Sequence, residues 1–292
     1  MRWIVGIDLR ARSHGAVAFV SWARQHAKAQ AFIAAHAMPE PSTSLGEPPI
    51  DRDELHAQSL EVLRKELAAR GAEQAFDDHG LIESWAPEDG LVEVMRRHGA
   101  DGLVIGRRAN KVDDAWIRLG RVARRLLRTL PAPIITVPAD LEVGDLAQGP
   151  VLLTTDLSQT SVAALAFAAR FAHELGRPLQ VAHVIEAAGR MVPAKPADAW
   201  HMRPDAPPSD PGALDRWLEE HTVQGAKTLV ERGHVLETLG EIVERQRPCL
   251  VVCGSRSLST MDRIFTSSVA SALAGVAPVP VAVIPADWTP SK

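Results

Sequence analysis

The chain has 292 residues, 46% of them hydrophobic and 23% charged, with a formal net charge of −4 and a pI near 6.3. That profile suits a soluble globular protein long enough for two cores of ordinary size. The acidic balance argues against bulk attraction to nucleic acid or anionic membrane, and no apolar run approaches the roughly 20 residues a membrane helix needs.

The opening run Met1-Arg2-Trp3-Ile4-Val5-Gly6-Ile7-Asp8 reads as a strand closed by an acid, with no signal-peptide cleavage pattern. A second apolar stretch holds Ala34-Ala35-His36-Ala37, Pro39 to Pro49 reads as a loop, and Ile50 to Arg70 as a long helix. Leu103-Val104-Ile105 is a buried strand that ends at Gly106, in the turn Gly106-Arg107-Arg108-Ala109. Arg118, Arg121, Arg125 and Arg128 then recur at helical spacing, opposite Leu119, Val122, Leu126 and Leu130. A solvated helix face is expected there. The alternative is a polyanion or phosphate site, because Arg107, Arg108 and Lys111 begin the same segment. Pro131 to Asp140 carries the last strand of this half, and Leu141 to Pro150, polar and glycine-containing, reads as a linker.

The second half runs through the same order. Its first strand is expected at Val151 to Thr155, a helix at Ser158 to Leu175 and a strand at Leu179 to Ile185. Gly189 to Pro211, rich in Pro, Ala and Asp, reads as a mobile loop. There follow a helix at Leu214 to His221, a strand at Ala226 to Val230 and a helix at Leu236 to Arg245. Strand Leu250 to Cys253, helix Ser267 to Leu273 and strand Val281 to Ile284 complete it. Cys249 and Cys253 are expected on one face of that strand, roughly 13 Å apart at about 3.3 Å per residue, too far for a disulfide. They read as core residues of a cytosolic protein.

The two halves are copies. Pro131-Ala132-Pro133-Ile134-Ile135-Thr136-Val137-Pro138-Ala139-Asp140 is matched by Pro278-Val279-Pro280-Val281-Ala282-Val283-Ile284-Pro285-Ala286-Asp287, at an offset of 147 (278 − 131). Asp8 pairs with Asp156 (148), His36 with His183 (147) and Gly106 with Gly254 (148). Continuously apolar strands alternating with helices imply parallel sheets covered on both faces. The fold class is therefore α/β: two tandem, open, twisted, five-stranded parallel sheets of Rossmann-like type, over 1–140 and 150–292.

In such sheets ligands bind beyond the carboxyl ends of the strands, where the strand order reverses. Asp8 or Asp156 and the turn at Gly106 or Gly254 fall there in each copy, and the next helix N-terminus offers N–H groups to a phosphate. A plain tight turn is the competing reading. The 11 histidines show no ligand spacing, so no metal cofactor is expected. Walker A, Gly-x-Gly-x-x-Gly, Gly-x-Ser-x-Gly and His-x-Gly-His patterns are all absent, and no general acid–base pair stands out. The recurrence of His36 and His183 suggests a structural hydrogen bond near the sheet end.

In the second half Thr154-Thr155-Asp156-Leu157-Ser158, Ala182-His183-Val184-Ile185, Gly233, Gly254 and Pro278-Val279-Pro280 occur in order. The chain resembles the universal stress proteins in this, once per half and over nearly its whole length. The resemblance implies an adenine nucleotide alpha hydrolase-like fold, a cytoplasmic stress-response binding or signalling role, and ATP, ADP or AMP as ligand. It assigns Asp156 and Val184 to the adenosine end, and Gly254, Ser257, Ser267 and Ser268 to the phosphates, with Arg256 adding charge. It further implies that the Pro-x-Pro strands pair between the copies as an intrachain pseudo-dimer, with a homodimer as a further assembly.

The family signature Gly-x2-Gly-x9-Gly-Ser/Thr is altered in both copies. The second reads Gly254-x2-Ser257-x9-Ser267-Ser268. The first has Gly106, Ala109 and, after ten intervening residues in place of nine, Gly120-Arg121, so Asp8, Gly106 and Gly120 form the more degenerate site. Nucleotide binding is therefore expected mainly in the second half. A scaffold that binds no nucleotide and a slow adenine-nucleotide hydrolase remain the alternatives.

Overall fold

The computed structural model describes residues 1–27, 30–38, 51–84, 86–108, 119–146, 148–186, 210–255 and 269–290. The loops expected at Pro39–Pro49 and Gly189–Pro211 lie almost wholly outside these. The first half contains β1 (Arg2–Gly6), α1 (His14–His26), β2 (Ala31–Met38), α2 (Arg52–Ala68), β3 (Asp78–Glu83), α3 (Pro87–Arg97), β4 (Gly102–Arg107), α4 (Gly120–Thr129) and β5 (Ile134–Pro138). The second contains β6 (Val151–Thr154), α5 (Val162–Leu175), β7 (Leu179–Glu186), α6 (Ala213–Glu220), β8 (Lys227–Gly233), α7 (Val235–Gln246), β9 (Leu250–Gly254), α8 (Val269–Val276) and β10 (Val281–Ile284).

Local chemistry sets many of these boundaries. The Asp51 carboxylate accepts from the backbone N–H groups of Asp53 and Glu54 at 3.0 and 3.2 Å and starts α2. Pro87 opens α3, where its missing N–H costs nothing, and left-handed Gly176 (φ 63°) ends α5. The helix expected from Ser158 begins instead at Val162, because Gln159–Ser161 forms a 3-10 turn.

The strands form one ten-stranded sheet in the order β3-β2-β1-β4-β5-β10-β9-β6-β7-β8. Each half supplies five parallel strands. The halves meet where β5 and β10 pair antiparallel, with Thr136, Ile135 and Ile134 opposite Val281, Ala282 and Val283. Alternate strand residues feed two apolar layers, and each layer is continuous across both halves. One packs under α1, α2, α5 and α6 and the other under α3, α4, α7 and α8.

Two expectations and one alternative reading are corrected. The connecting segment is not a bare polar linker: Val143–Leu146 forms a 3-10 turn, and Leu141 and Leu146 are buried in the first of these layers. Cys249 and Cys253 lie on opposite layers, not on one face. Cys249 precedes β9, after left-handed Arg247 and Pro248, so strand alternation does not reach back to it. Arg107 is 1% exposed and its guanidinium donates to the carbonyl of Ala277 in the other copy, so it is no part of an open anion patch. On α4, Arg121, Arg125 and Arg128 are exposed as a solvated face would be, while Arg118 and Lys111 lie outside the described residues.

Candidate functional site

The strand order reverses around β1 in the first half and β6 in the second, which places each crevice beyond the carboxyl ends of β1 and β4 or of β6 and β9. Past β1 the chain passes Asp8 and turns through left-handed Leu9 (φ 54°) into a 3-10 turn; past β6 it passes Asp156 and left-handed Leu157 (φ 64°) in the same way. The acid holds that turn together. Asp8 Oδ1 accepts from Ser13 Oγ at 2.6 Å and from Arg10 N at 2.9 Å. Asp156 Oδ1 accepts from Ser161 Oγ at 2.8 Å, Ser158 Oγ at 2.6 Å and Ser158 N at 3.1 Å.

The glycine after the fourth strand packs against the same turn. A Cβ on Gly106 would lie 2.0 Å from the carbonyl oxygen of Arg12, and one on Gly254 would lie 3.2 Å from that of Thr160. The absent side chain is thus occupied first by the protein's own backbone, rather than reserved for a ligand. Asp156, Ser161 and Gly254 form one contiguous group, as do Asp8, Ser13 and Gly106, and the group at Gly254 is packed less tightly against its glycine.

His36 Nδ1 donates to the carbonyl of Ile7 at 2.7 Å, and His183 Nδ1 to that of Thr155 at 3.0 Å. A carbonyl only accepts, so each ring carries its proton on Nδ1. Both histidines tie the second strand of a half to the residue just before the acid, the structural role expected for them. The Val184 side chain is 5% exposed and packs in the core with Leu152 and Ala182, which leaves its main chain for any ligand contact. Gly120, with φ 65°, opens α4 in a left-handed conformation that its lack of Cβ permits. Arg256, Ser257, Ser267 and Ser268 lie outside the described residues.

Two features went unread in the sequence. Ser13 and Ser161 stand 148 apart, as do Leu9 and Leu157, so the repeat arithmetic already contained the turn. The crossing from Arg107 to Ala277 has no local signal. Among the described residues no group of three or more His, Cys, Asp or Glu side chains is placed to hold a metal ion, and no helix is long and apolar enough to cross a membrane.

Two parallel α/β halves, each with an acid-bearing turn against a glycine at its switch point, define a duplicated fold of the adenine nucleotide alpha hydrolase-like class. The model of the universal stress protein family matches residues 1–138 and 149–285, and the chain belongs to that family. Its fold is shared with a universal stress protein from Archaeoglobus fulgidus DSM 4304, at 18% identity and a TM-score of 0.70 over 98% of both chains. A functionally unknown protein from Pseudomonas aeruginosa PAO1 matches at 12% identity and a TM-score of 0.62, over 97% of this chain and 92% of that one. A putative universal stress protein from Pseudomonas aeruginosa UCBPP-PA14 gives the same values. No curated protein matches the sequence.

Proposed function

We propose that the chain is a cytoplasmic stress-response binding module whose second half takes an adenine nucleotide in the crevice between β6 and β9. Asp156, the main chain of Val184 and Gly254 form the described part of that site; the family resemblance assigns Arg256, Ser257, Ser267 and Ser268, outside the described residues, to the phosphates. The observation that carries this reading is the asymmetry between the two glycines. Backbone fills the space beside Gly106, whereas the contacts at Gly254 stand about 1.2 Å further off (3.2 − 2.0).

The first half, over 1–140, acts as the structural partner of the second, over 150–292. Its crevice turn is closed and Arg107 is committed to the other copy. The antiparallel pairing of β5 with β10 supports an intrachain pseudo-dimer in place of two separate chains.

Calorimetric titration of the full chain with ATP, ADP and AMP tests the site. Binding is expected with one nucleotide per chain, weakened at least tenfold by Asp156→Ala and little changed by Asp8→Ala. Absence of heat in the wild type, or equal affinity in Asp156→Ala, rejects the assignment.

A further inference from the structure

In each half the helices run against the strands, so helix C-termini lie at the opposite end of the sheet from the crevice. Where β5 and β10 pair antiparallel, the crevice end of one half stands beside the helix C-termini of the other. Arg107, the last residue of β4, occupies that junction. Its Nη2 donates to the carbonyl of Ala277, one residue past α8, and its Nη1 to that of Arg108 at 3.1 Å. Thr136 of β5, fully buried, shares its hydroxyl between the carbonyls of Ala274 and Val281, each at 3.3 Å.

The last carbonyls of a helix have no intrahelical partner, and a cation beside them meets the negative end of the macrodipole. α8 is therefore capped by side chains from the other copy. The reverse contact has no equivalent in the sequence. Ser255 stands where Arg107 does (255 − 107 = 148), and Val283 where Thr136 does (283 − 136 = 147). Neither brings a cation to the C-terminus of α4.

We propose that Arg107, assisted by Thr136, is a positioning residue for the nucleotide crevice of the second half. It fixes α8, which runs against the strands so that its N-terminal end lies at the crevice end of that half, and so makes the first copy part of the second copy's site. The inference rests on the nucleotide reading for what α8 is held toward, and on the Arg107 and Thr136 contacts for how it is held.

The test uses the full chain with Arg107→Met, which keeps length and removes charge, Arg107→Lys, which keeps charge, and Thr136→Val, each checked for folding by circular dichroism. Should Arg107→Met not fold, the other two variants carry the test. Hydrogen exchange of peptides covering α8, without ligand, is expected to quicken by about 3- to 10-fold in Arg107→Met, less in the other two, with α7 unchanged. ATP affinity is expected to fall by a similar factor and to recover in part with lysine. Unchanged exchange in α8, or faster exchange spread evenly over the chain, overturns the inference. ATP affinity unaffected by Arg107→Met overturns it too and leaves the nucleotide site standing. A wild type that binds no ATP overturns the nucleotide site instead, and the exchange data alone then decide whether Arg107 holds α8.

Discussion

The indole of Trp3 stands edge-on to the ring of Phe167, with centroids 6.1 Å apart and planes at 90°, although one residue comes from each copy. Phe171 meets the same indole at 6.3 Å and 82°, and Trp288 meets Phe167 at 5.4 Å. The two copies thus share one aromatic core beneath the joined sheet. Urea unfolding is expected to show one transition by both fluorescence and circular dichroism. Trp3→Ala should cost about 3–5 kcal/mol. Two resolved transitions, or an isolated second half with native-like near-ultraviolet dichroism, would show the halves to be independent.

The two crevice glycines should respond unequally to alanine. At Gly106 the new methyl meets the Arg12 carbonyl at 2.0 Å and the turn has to move, at a cost of about 3 kcal/mol. At Gly254 the nearest atom is 3.2 Å away, and a cost under about 1 kcal/mol is expected. Neither glycine has a positive φ, so the difference is one of space. Denaturant midpoints of the two variants measure it; equal losses would contradict the packing argument.

Burial pushes the Cys249 thiol from 9.0 up to about 12 and the Cys253 thiol up to about 11. Both therefore stay protonated in the folded state where an unfolded chain begins to ionise. The unfolded state then binds fewer protons, so their contribution is complete below pH 9 and is lost as pH rises toward 11–12. Native protein should react with a thiol reagent at pH 8 only at its unfolding rate. Replacing both cysteines with alanine should flatten the alkaline fall in stability; an undiminished fall would assign it to other groups.

Glu88, at the start of α3, is 5% exposed and bridges to Arg125 on α4. Burial alone would raise its carboxyl, but the hydrogen bond from Arg125, the backbone N–H, and the charges of Arg125 and Arg121 together hold it below its ordinary 4.5. Its contribution is present above that value and is lost as pH falls through the depressed one. Because Arg125 is 53% exposed, about 1 kcal/mol is expected. Glu88→Gln should lose that amount at pH 7 and converge with the wild type in acid, once pH falls below the depressed pKa; a gap constant with pH would point to packing alone.

Most of the fold could be read from the sequence because burial on both faces leaves continuous apolar runs, and duplication let each half check the other. β10, at Val281–Ile284, lies where the apolar run after Pro278 and Pro280 indicated. Reading failed where tertiary contacts override local pattern. Charge marked Arg107 as a surface residue, but its acceptor is a carbonyl 170 positions away. Periodicity put both cysteines on one face, but β9 starts a residue too late for that. At the crevice, the acid, the glycine and Ser158 were found while Ser13 and Ser161 were not. Strand tips are marked by a change in hydrophobicity, whereas a hydroxyl inside a 3-10 turn leaves no such mark.

The head-to-head seam between β5 and β10 also decides which way the molecule looks. Each copy's crevice opens toward one extremity of the strands, and the copies run in opposite senses, so the openings point away from each other. Two occupants would never touch, and a visitor arriving at one extremity would meet only the occupant there. Any conversation between them has to pass through the packed middle of the protein and cannot cross open solvent.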